Sequence, residues 1–515
     1  MQVTAAGFTA EERDATRKIA ASAQVAWKKQ LASTWRPFTI GVSAIGGSDG
    51  IASDGATVSD WNKYYYFDES RYLQSLSYER GLKMPTGGLS MGMFEANFDN
   101  TSGRFTPRYM GGNSELYTAS YKPMRPTIIN AGFNYNGVDQ TIPQFVGINP
   151  KPMSVDARSR TAKIAGNDFM AYLQNTYLDH QVMFTAQRTD QVLASLFSDL
   201  GYSTAQYDLD YGVNIIPFGM FDVGSRFSDV VDKLVEAENG QAYQREDGKF
   251  IFENRQHWDS PPYTSPVKVI YTAEVLEAES PDDSHLINVV EINGKVIEKQ
   301  PSQLVWKLSS PIQVDPTSNA ELFVSFDDPM LQIDDPSTIY ANLQSDGSST
   351  DMSDYIQIKS ISKFAQAAKV IFYNSSSSPV YITSANIYGR VAKTISDIKV
   401  RVQDDSSVTA YQERPFAIDN KFIQSQDWAS SYAQMILNDF SEPENIQKIT
   451  VRAKPDLQLG DLISWQGRYW RVFDIKSVLS PSSGFVQELT LLQRTITTYF
   501  RIGISSIGGV DRIAP

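Results

Sequence analysis

Three histidines, His180, His257 and His285, are the side chains best suited to acid–base or metal chemistry near neutral pH. Metal-binding histidines commonly recur at short spacings such as HxxxH, and catalytic histidines commonly belong to a motif with a carboxylate and a nucleophile. Each histidine here is alone in its part of the sequence, without a metal spacing or a recurring arrangement with Asp. The pattern therefore favours a structural or incidental role for all three.

Other routes to catalysis also lack a sequence pattern. The chain has no cysteine, which excludes thiol nucleophiles, disulfides and zinc-thiolate sites. The pattern GxSxG occurs at "GGSDG" (46–50) and "GLSMG" (88–92), but both read as glycine turns rather than as the strand–turn–helix elbow that carries a nucleophile. No phosphate-binding P-loop or dinucleotide fingerprint is present. The 59 acidic residues leave paired catalytic carboxylates open, but no particular pair is indicated. We expect no enzyme activity, no cofactor and no metal site.

Three acidic segments, "DDPSTIY", "SPDDSH" and "SDGSSTDMSD", are the remaining candidates for ion binding. The third is loosely similar to a calcium loop, but it lacks the glycine at the turn and the terminal glutamate. Solvated loops are the favoured interpretation of all three.

Length and composition indicate a folded protein of several domains. The chain has 515 residues, with 41% hydrophobic and 20% charged residues, and single cores rarely grow beyond about 300 residues. Aromatic residues make up 12% and favour strands. A net charge of −13 argues against sequence-independent or sequence-specific binding to nucleic acid. We expect no membrane span and no secretory signal, because neither an apolar run of about 18 residues nor a basic stretch followed by an apolar core is found.

Helical spacing of apolar residues recurs at four places. The first is Thr9 to Ala32, where Ile19, Ala23 and Trp27 form an apolar stripe. The others are "DQVLASLFSDLG", "SRFSDVVDKLVEAENG" and "SQDWASSYAQMILNDF". The second of these precedes "QAYQREDGKFIFENR", which reads as a hairpin turning at Asp-Gly. Between the helices, short β runs alternate with Gly, Pro and Asn, so most of the chain is predicted as strands.

These patterns divide the chain into seven parts. We expect an N-terminal helix in 1–36, a first β-barrel in 37–180, an α+β helix-and-hairpin domain in 181–262, connecting strands in 263–299, an inserted β-sandwich in 300–395, a helix with a second β-barrel in 396–500, and a short terminal segment in 501–515.

That terminal segment repeats a phrase from the start of the chain. "IGVSAIGGSDGIAS" (40–53) and "IGISSIGGVDRIAP" (502–515) agree at nine of fourteen positions. Each reads as a short strand followed by a Gly-Gly turn that contains an Asp. Either both copies close sheet edges within one protomer, or both act as a clamp that adds a strand to a neighbour. The candidate assembly residues are Ile40, Ile45, Gly46, Gly47, Asp49 and Ile51 in the first copy, and Ile502, Ile507, Gly508, Gly509, Asp511 and Ile513 in the second.

Four stretches, in this order and at these spacings, resemble the tail-tip and baseplate-hub proteins of phages. They are "GMFEANFDNTSGRFTPRYMGG", then "RPTIINAGF" with "IPQFVGINPKPMSVDARSRTAKIAGNDFMAYL", then "FSDVVDKLVEAENGQAYQREDGKFIFENR", and finally "LGDLISWQGRYWRVFDIKSVLSPSSGFVQELTLL". The resemblance covers roughly Phe94 to Arg494 and is to siphophage minor tail proteins and the hub of contractile-tailed phage baseplates. Residues 300–393 depart from the minimal hub and resemble a galactose-binding-like insertion.

The resemblance implies a mainly β fold with an α+β part: two hub-type β-barrels, a central helix-plus-hairpin unit and an inserted β-sandwich. It also implies a non-enzymatic structural protein of the virion tail, assembled in the host cytoplasm as a homotrimeric ring around the DNA exit channel. The implied partners are tail-tube and distal tail proteins, the tape-measure protein, and receptor-binding or fibre proteins.

Two other functions remain open. In the first, the chain is an adhesion or receptor-binding tail protein whose sandwich binds cell-surface carbohydrate. Tyr340, Tyr355, Tyr381 and Tyr388 would then stack on sugar, although a core position is the favoured interpretation for most of them. In the second, the chain is a tail enzyme that degrades cell wall, which predicts a lytic domain after the hub portion.

Overall fold

The computed structural model describes residues 1–13, 17–29, 64–107, 124–151, 153–280, 284–334 and 339–494. Strands predominate in these ranges, which confirms the mainly β fold with an α+β part. The helices are α1 (Ala6–Arg13), α2 (Met170–Leu173), α3 (Thr189–Asp199), α4 (Phe227–Glu238), α5 (Asp405–Tyr411) and α6 (Gln426–Phe440). No helix in the described part of the chain has the length and apolar character needed to span a bilayer.

The strands fall into an N-terminal, a central, a sandwich and a closing group. The N-terminal group is β1 (Ile19–Lys29), β2 (Tyr64–Asp68), β3 (Leu73–Gly81), β4 (Gly88–Leu89), β5 (Met93–Asp99), β6 (Arg125–Tyr135), β7 (Val138–Asn149), β8 (Ser154–Asp156) and β9 (Thr161–Asn167). The central group is β10 (Val182–Arg188), β11 (Tyr207–Leu209), β12 (Ile215–Phe221), β13 (Gln241–Gln244), β14 (Phe250–Glu253), β15 (Lys268–Ile270), β16 (Val275–Ala278) and β17 (Val289–Lys299). The sandwich group is β18 (Gln303–Lys307), β19 (Ile312–Val314), β20 (Asn319–Ser325), β21 (Met330–Ile333), β22 (Tyr340–Asn342), β23 (Ile356–Lys363), β24 (Ala367–Asn374), β25 (Val380–Ser384) and β26 (Asn386–Gln403). The closing group is β27 (Pro415–Asp419), β28 (Ile446–Arg452), β29 (Leu462–Trp465), β30 (Arg468–Ser480) and β31 (Gly484–Gln493).

One sheet of fourteen strands contains the N-terminal group without β4, the closing group without β27, and β15 and β16 of the central group. Its main path runs β16-β28-β31-β30-β3-β5-β9-β7-β6-β1-β2. Strand β3 joins the two halves, because it pairs with β5 on one side and with β30 on the other, from Leu76↔Leu479 to Gly81↔Asp474. Within the described residues neither predicted barrel closes on itself: one edge strand of each half, β3 and β30, pairs with the other half, and the main path ends at β16 and β2.

The predicted N-terminal helix is wrong over most of its length. Helix α1 ends at Arg13, and Ile19–Lys29 is a strand that pairs with β6 and β2. Ala23 and Val25 are buried on the same face of β1, as expected for a strand, whose side chains alternate every two residues. The spacing of four residues between Ile19, Ala23 and Trp27, which predicted a helix, is also compatible with one face of a strand. Pairing on both sides satisfies the backbone, so tertiary context outweighs the helix propensity of the alanines.

The helix-and-hairpin unit was predicted correctly. The apolar residues of α4 from Phe227 to Val235 are buried, and the helix ends where Asn239 takes a left-handed conformation (φ 55°). Strands β13 and β14 form the antiparallel hairpin with Asp247 and Gly248 in its turn. One continuous hydrophobic cluster joins α2, α3, α4 and α6 with this hairpin and with the closing strands.

The sandwich group has a hydrophobic cluster of its own, which includes Val324, Val370 and Phe372. Strand β26 connects this group to the rest of the chain. Its first part pairs with β18 and β21, and its second part, from Ala392 to Gln403, pairs with β17. The separate cluster agrees with an inserted unit, while the domain boundaries given above stay predictions.

Candidate functional site: a basic cleft beside the helix and hairpin

The twelve candidate assembly residues of the repeated phrase all lie outside the described residues, so the structure leaves that prediction open. Of the three acidic segments, the first two are described only in part and the third is described in full. In the third, Asp346 and Asp351 accept hydrogen bonds from Ser348 and Ser353, which lower the pKa of both carboxyls. Over the ranges that the structure covers, no group of three or more His, Asp or Glu side chains could hold a metal ion.

His257 is the histidine that other titratable groups surround. Its Nδ1 lies 2.7 Å from Asp210 Oδ2, and its Nε2 lies 3.1 Å from Glu253 Oε1. Burial raises the pKa of Glu253 to about 7. Burial alone would lower the pKa of His257, but the hydrogen bond to Asp210 and the charge of Glu253 outweigh it and raise the pKa. The imidazole therefore holds the end of the hairpin to the segment after β11.

A cleft of about 530 Å³, lined by Trp258 and residues near it, lies next to this histidine and is the candidate site in the described residues. Four parts of the fold supply its walls: the segment before β4, the hairpin with the loop after it, the end of α6, and the closing strands. Its ionisable side chains are Lys83, Arg255, Asp259, Asp439, Arg471 and Arg494. Four cations face two carboxylates, so the cleft is basic in a chain whose net charge is −13. We call it the basic cleft.

Arg471 is the most buried of these cations, with 4% of its side chain exposed. Its Nη1 donates to the Gly460 carbonyl at 2.6 Å, and its Nη2 donates to the carbonyls of Trp258 and Tyr263 at 3.3 Å. The Nε–H is buried without a hydrogen-bond partner. Burial and the nearby charge of Arg494 lower the pKa of Arg471 to about 10. The guanidinium is thus held by neutral carbonyl groups rather than by a carboxylate.

Arg255 and Trp258 lie on the loop after the hairpin. The Arg255 guanidinium stacks 3.8 Å from the Trp428 ring centroid and donates to Asn214 Oδ1 at 2.6 Å. Burial lowers the pKa of Arg255. The indole N–H of Trp258 is buried and unpartnered, and the ring lies under Arg471 at 5.1 Å. Arg255 therefore brings hydrogen-bond donors to the cleft, whereas the indole N–H of Trp258 packs against Gly460.

The two carboxylates balance only part of this charge. Asp439 Oδ1 accepts from Arg494 Nη1 at 2.8 Å, and burial raises the pKa of Asp439 in spite of that pair. Burial also raises the pKa of Asp259. Lys83 pairs with Asp232, which is outside the cleft lining, at 2.7 Å. The arrangement suits recognition of an anion, because charged donors outnumber the carboxylates that could neutralise them.

Sequence reasoning missed this cleft. Its cations come from positions 83, 255, 471 and 494, and no local spacing connects them. The hairpin and the closing strands were each predicted, but their contact was not. To find the cleft from sequence, the pairing of β3 with β30 would have had to be predicted first.

Among the solved structures that are similar to this chain, three examples span most of it. The chain is similar to phage tail proteins. The 43 kDa tail protein of prophage MuSo2 from Shewanella oneidensis has a TM-score of 0.44 and 11% identity, covering 84% of this chain and 95% of that chain. The tail protein from Neisseria meningitidis MC58 has a TM-score of 0.47 and 10% identity, covering 93% and 98%. The prophage tail protein gp18 from Listeria monocytogenes EGD-e has a TM-score of 0.41 and 11% identity, covering 85% and 94%.

These tail proteins are of the same class that the sequence resemblance names. Because the identities are 10 or 11% and the TM-scores are below 0.5, the function of this chain has to be argued from its own residues. No protein-family model and no curated protein matches the sequence.

Proposed function

We propose that this chain is a structural protein of a bacteriophage tail tip or baseplate hub. In this role, three copies form a ring that joins the tail tube to distal receptor-binding parts and surrounds the DNA exit channel. The ring is not an enzyme; it connects neighbours and bears load. Its location is the virion tail.

One observation carries this proposal: the hub-like stretches, although far apart in sequence, belong to a single connected body. Strand β5 of the first stretch joins β30 of the last through β3, and one hydrophobic cluster joins the helix-and-hairpin unit to the closing strands. The sandwich has its own cluster and is attached through β26. A connected body with an appended module suits a connector that carries accessory parts.

The charge of the chain supports the same role. A net charge of −13 would repel DNA phosphates if part of it lined the bore, whereas a basic wall would bind them and slow passage. Partners in this proposal are other copies of the chain, the tail-tube, distal tail and tape-measure proteins, and receptor-binding or fibre proteins.

The test is the mass of the purified chain by light scattering over a range of concentrations, together with negative-stain images. We expect rings of three copies with a central bore, either alone or on addition of the tail-tube protein. A strict monomer under both conditions would overturn the ring.

A second candidate, adhesion through the sandwich, is favoured by exposed aromatic side chains. Tyr340 and Tyr355 are 54% and 47% exposed, and Tyr388 is also exposed, so the expected core position is wrong for these three. Aromatic faces on a surface can stack on sugar rings. A glycan array tests this function: Tyr340→Ala should abolish a signal that Tyr381→Ala, at a more buried and hydrogen-bonded tyrosine, leaves unchanged.

A further inference from the structure

Arg255 and Arg471 are two guanidinium groups in one cleft without an ion pair. Across the described ranges, no carboxylate lies within 4 Å of either group, and their hydrogen bonds go to an amide and to backbone carbonyls. A cation held away from water is costly unless an anion neutralises it. The cleft therefore contains two cations that a bound anion would stabilise.

Trp258 adds a second and independent feature. Its indole N–H, like the Nε–H of Arg471, is buried without an acceptor. Buried donors in folded proteins nearly always have a partner, so these two unsatisfied groups show that this wall of the cleft, where the indole packs against Gly460, is short of hydrogen-bond acceptors. A carboxylate has two acceptor oxygens in the planar geometry that guanidinium groups bind.

The remaining walls indicate a peptide rather than a small inorganic anion. Side-chain amides of Asn438, Asn445 and Gln493 line the cleft, and amides can both donate to and accept from a peptide backbone. Phe440 and Phe473 supply apolar contact for side-chain methylenes. A volume of about 530 Å³ is within the range of sites that enclose a ligand larger than phosphate. The net charge of −13 opposes a long polyanion such as nucleic acid.

We propose that the basic cleft binds an acidic peptide segment of a partner protein, with its carboxylates against Arg255 and Arg471. This binding is a property of the single chain and holds whether or not the chain assembles into a ring. Asp439 competes with the peptide, because its carboxylate interacts with the charge of Arg471 and also accepts a hydrogen bond from Arg494.

The test measures fluorescence anisotropy of a labelled peptide of four glutamates flanked by glycines, titrated with the full chain at low salt. We expect binding that weakens as salt is added, and no binding of the matched peptide with four glutamines. Arg255→Gln should weaken binding about tenfold, and Arg255→Lys should weaken it less. The matched control is Arg401→Gln, which removes an exposed arginine paired with Glu291 and Glu413 far from the cleft lining and should leave binding unchanged.

A variant that is expected to strengthen peptide binding separates an effect on binding from an effect on folding. Asp439→Asn removes the competing carboxylate and should tighten binding about threefold, an effect that misfolding cannot produce. The inference is overturned if the glutamine peptide binds equally well, if Arg401→Gln weakens binding as much as Arg255→Gln, or if Asp439→Asn weakens it. Displacement of the peptide by inorganic phosphate at equal concentration would show a simple anion site and overturn the assignment to a peptide.

Discussion

Lys268 joins the N-terminal segment to the closing strands. Its Nζ donates to Glu12 at 2.7 and 2.8 Å and to Asp456 at 2.6 Å, and the two carboxylates are 4% and 5% exposed. Burial and the charge of Asp456 raise the pKa of Glu12, against the opposing effect of Lys268. Two buried carboxylates therefore share one cation.

Lys268→Met should lower the free energy of unfolding by about 3–5 kcal/mol, because it leaves both carboxylates buried without their cation. Urea unfolding at pH 7 measures this loss. The matched control is Lys369→Met, which breaks an exposed pair with Glu321 and should cost about 1 kcal/mol or less. Equal effects of the two variants would contradict the role given to Lys268.

Asp474 makes the junction between β3 and β30 sensitive to pH. Burial, followed by the nearby charge of Glu79, raises the pKa of Asp474 from 3.8 to about 7. The folded state then binds a proton that the unfolded state has lost, so this contribution to stability is complete below about pH 4 and is lost as the pH rises through 7. Burial also raises the pKa of Asp168 and Glu253 to about 7, and both act in the same direction.

The chain should therefore be more stable at pH 5.5 than at pH 8. Asp474→Asn should raise the free energy of unfolding at both pH values, and by about 2 kcal/mol more at pH 8 than at pH 5.5, because the unfolded carboxyl is ionised at both and the folded one is ionised only at pH 8. Chemical unfolding at the two pH values measures the difference. A gain of equal size at both would show that the effect is packing rather than ionisation.

At the scale of elements, secondary structure was predicted correctly where the spacing of apolar residues fitted a helix or a strand but not both. In α4, Phe227, Val230, Val231, Leu234 and Val235 leave no strand alternative. In β1 the same kind of spacing was ambiguous, because small residues such as Ala23 fit a helix face and a strand face equally well, and only pairing with β6 decides. Tyr340 and Tyr388 were misjudged because a strand alternates between two faces and the sequence does not say which face is covered. Tyr355 lies instead in a short 3-10 helix, Ser353–Tyr355.

The sandwich should unfold as a separate unit. Phe372 is buried in its cluster, and Phe372→Ala should lower the stability of this unit by about 3–5 kcal/mol through loss of packing and the cavity left behind. Calorimetry should then show an early transition that the wild type lacks, with the main transition unchanged. Phe323→Ala is the control, since this side chain is 70% exposed. A single transition that shifts as a whole would argue against the predicted unit at 300–395.

At the scale of the whole molecule, the prediction that the repeated phrase acts as an assembly clamp can be tested by deletion. Deleting residues 502–515 should leave the melting temperature nearly unchanged and weaken ring formation, because a clamp contributes contacts to a neighbour rather than to its own core. Light scattering measures the assembly, and thermal unfolding of the monomer is the control. A deletion variant that fails to fold would instead support the alternative in which both copies close sheet edges within one protomer.

The pairing of β3 with β30 also limits how early the sheet can be completed during synthesis on the ribosome. Strand β3 (residues 73–81) joins both halves of the sheet. Its second partner, β30, is available only after residues 468–480 have been synthesised. At about 5–20 residues per second, the ribosome needs roughly 20–80 s to make the intervening chain. One edge of β3 is open to other strands throughout that interval, so the yield of folded protein depends on what covers this edge while translation continues.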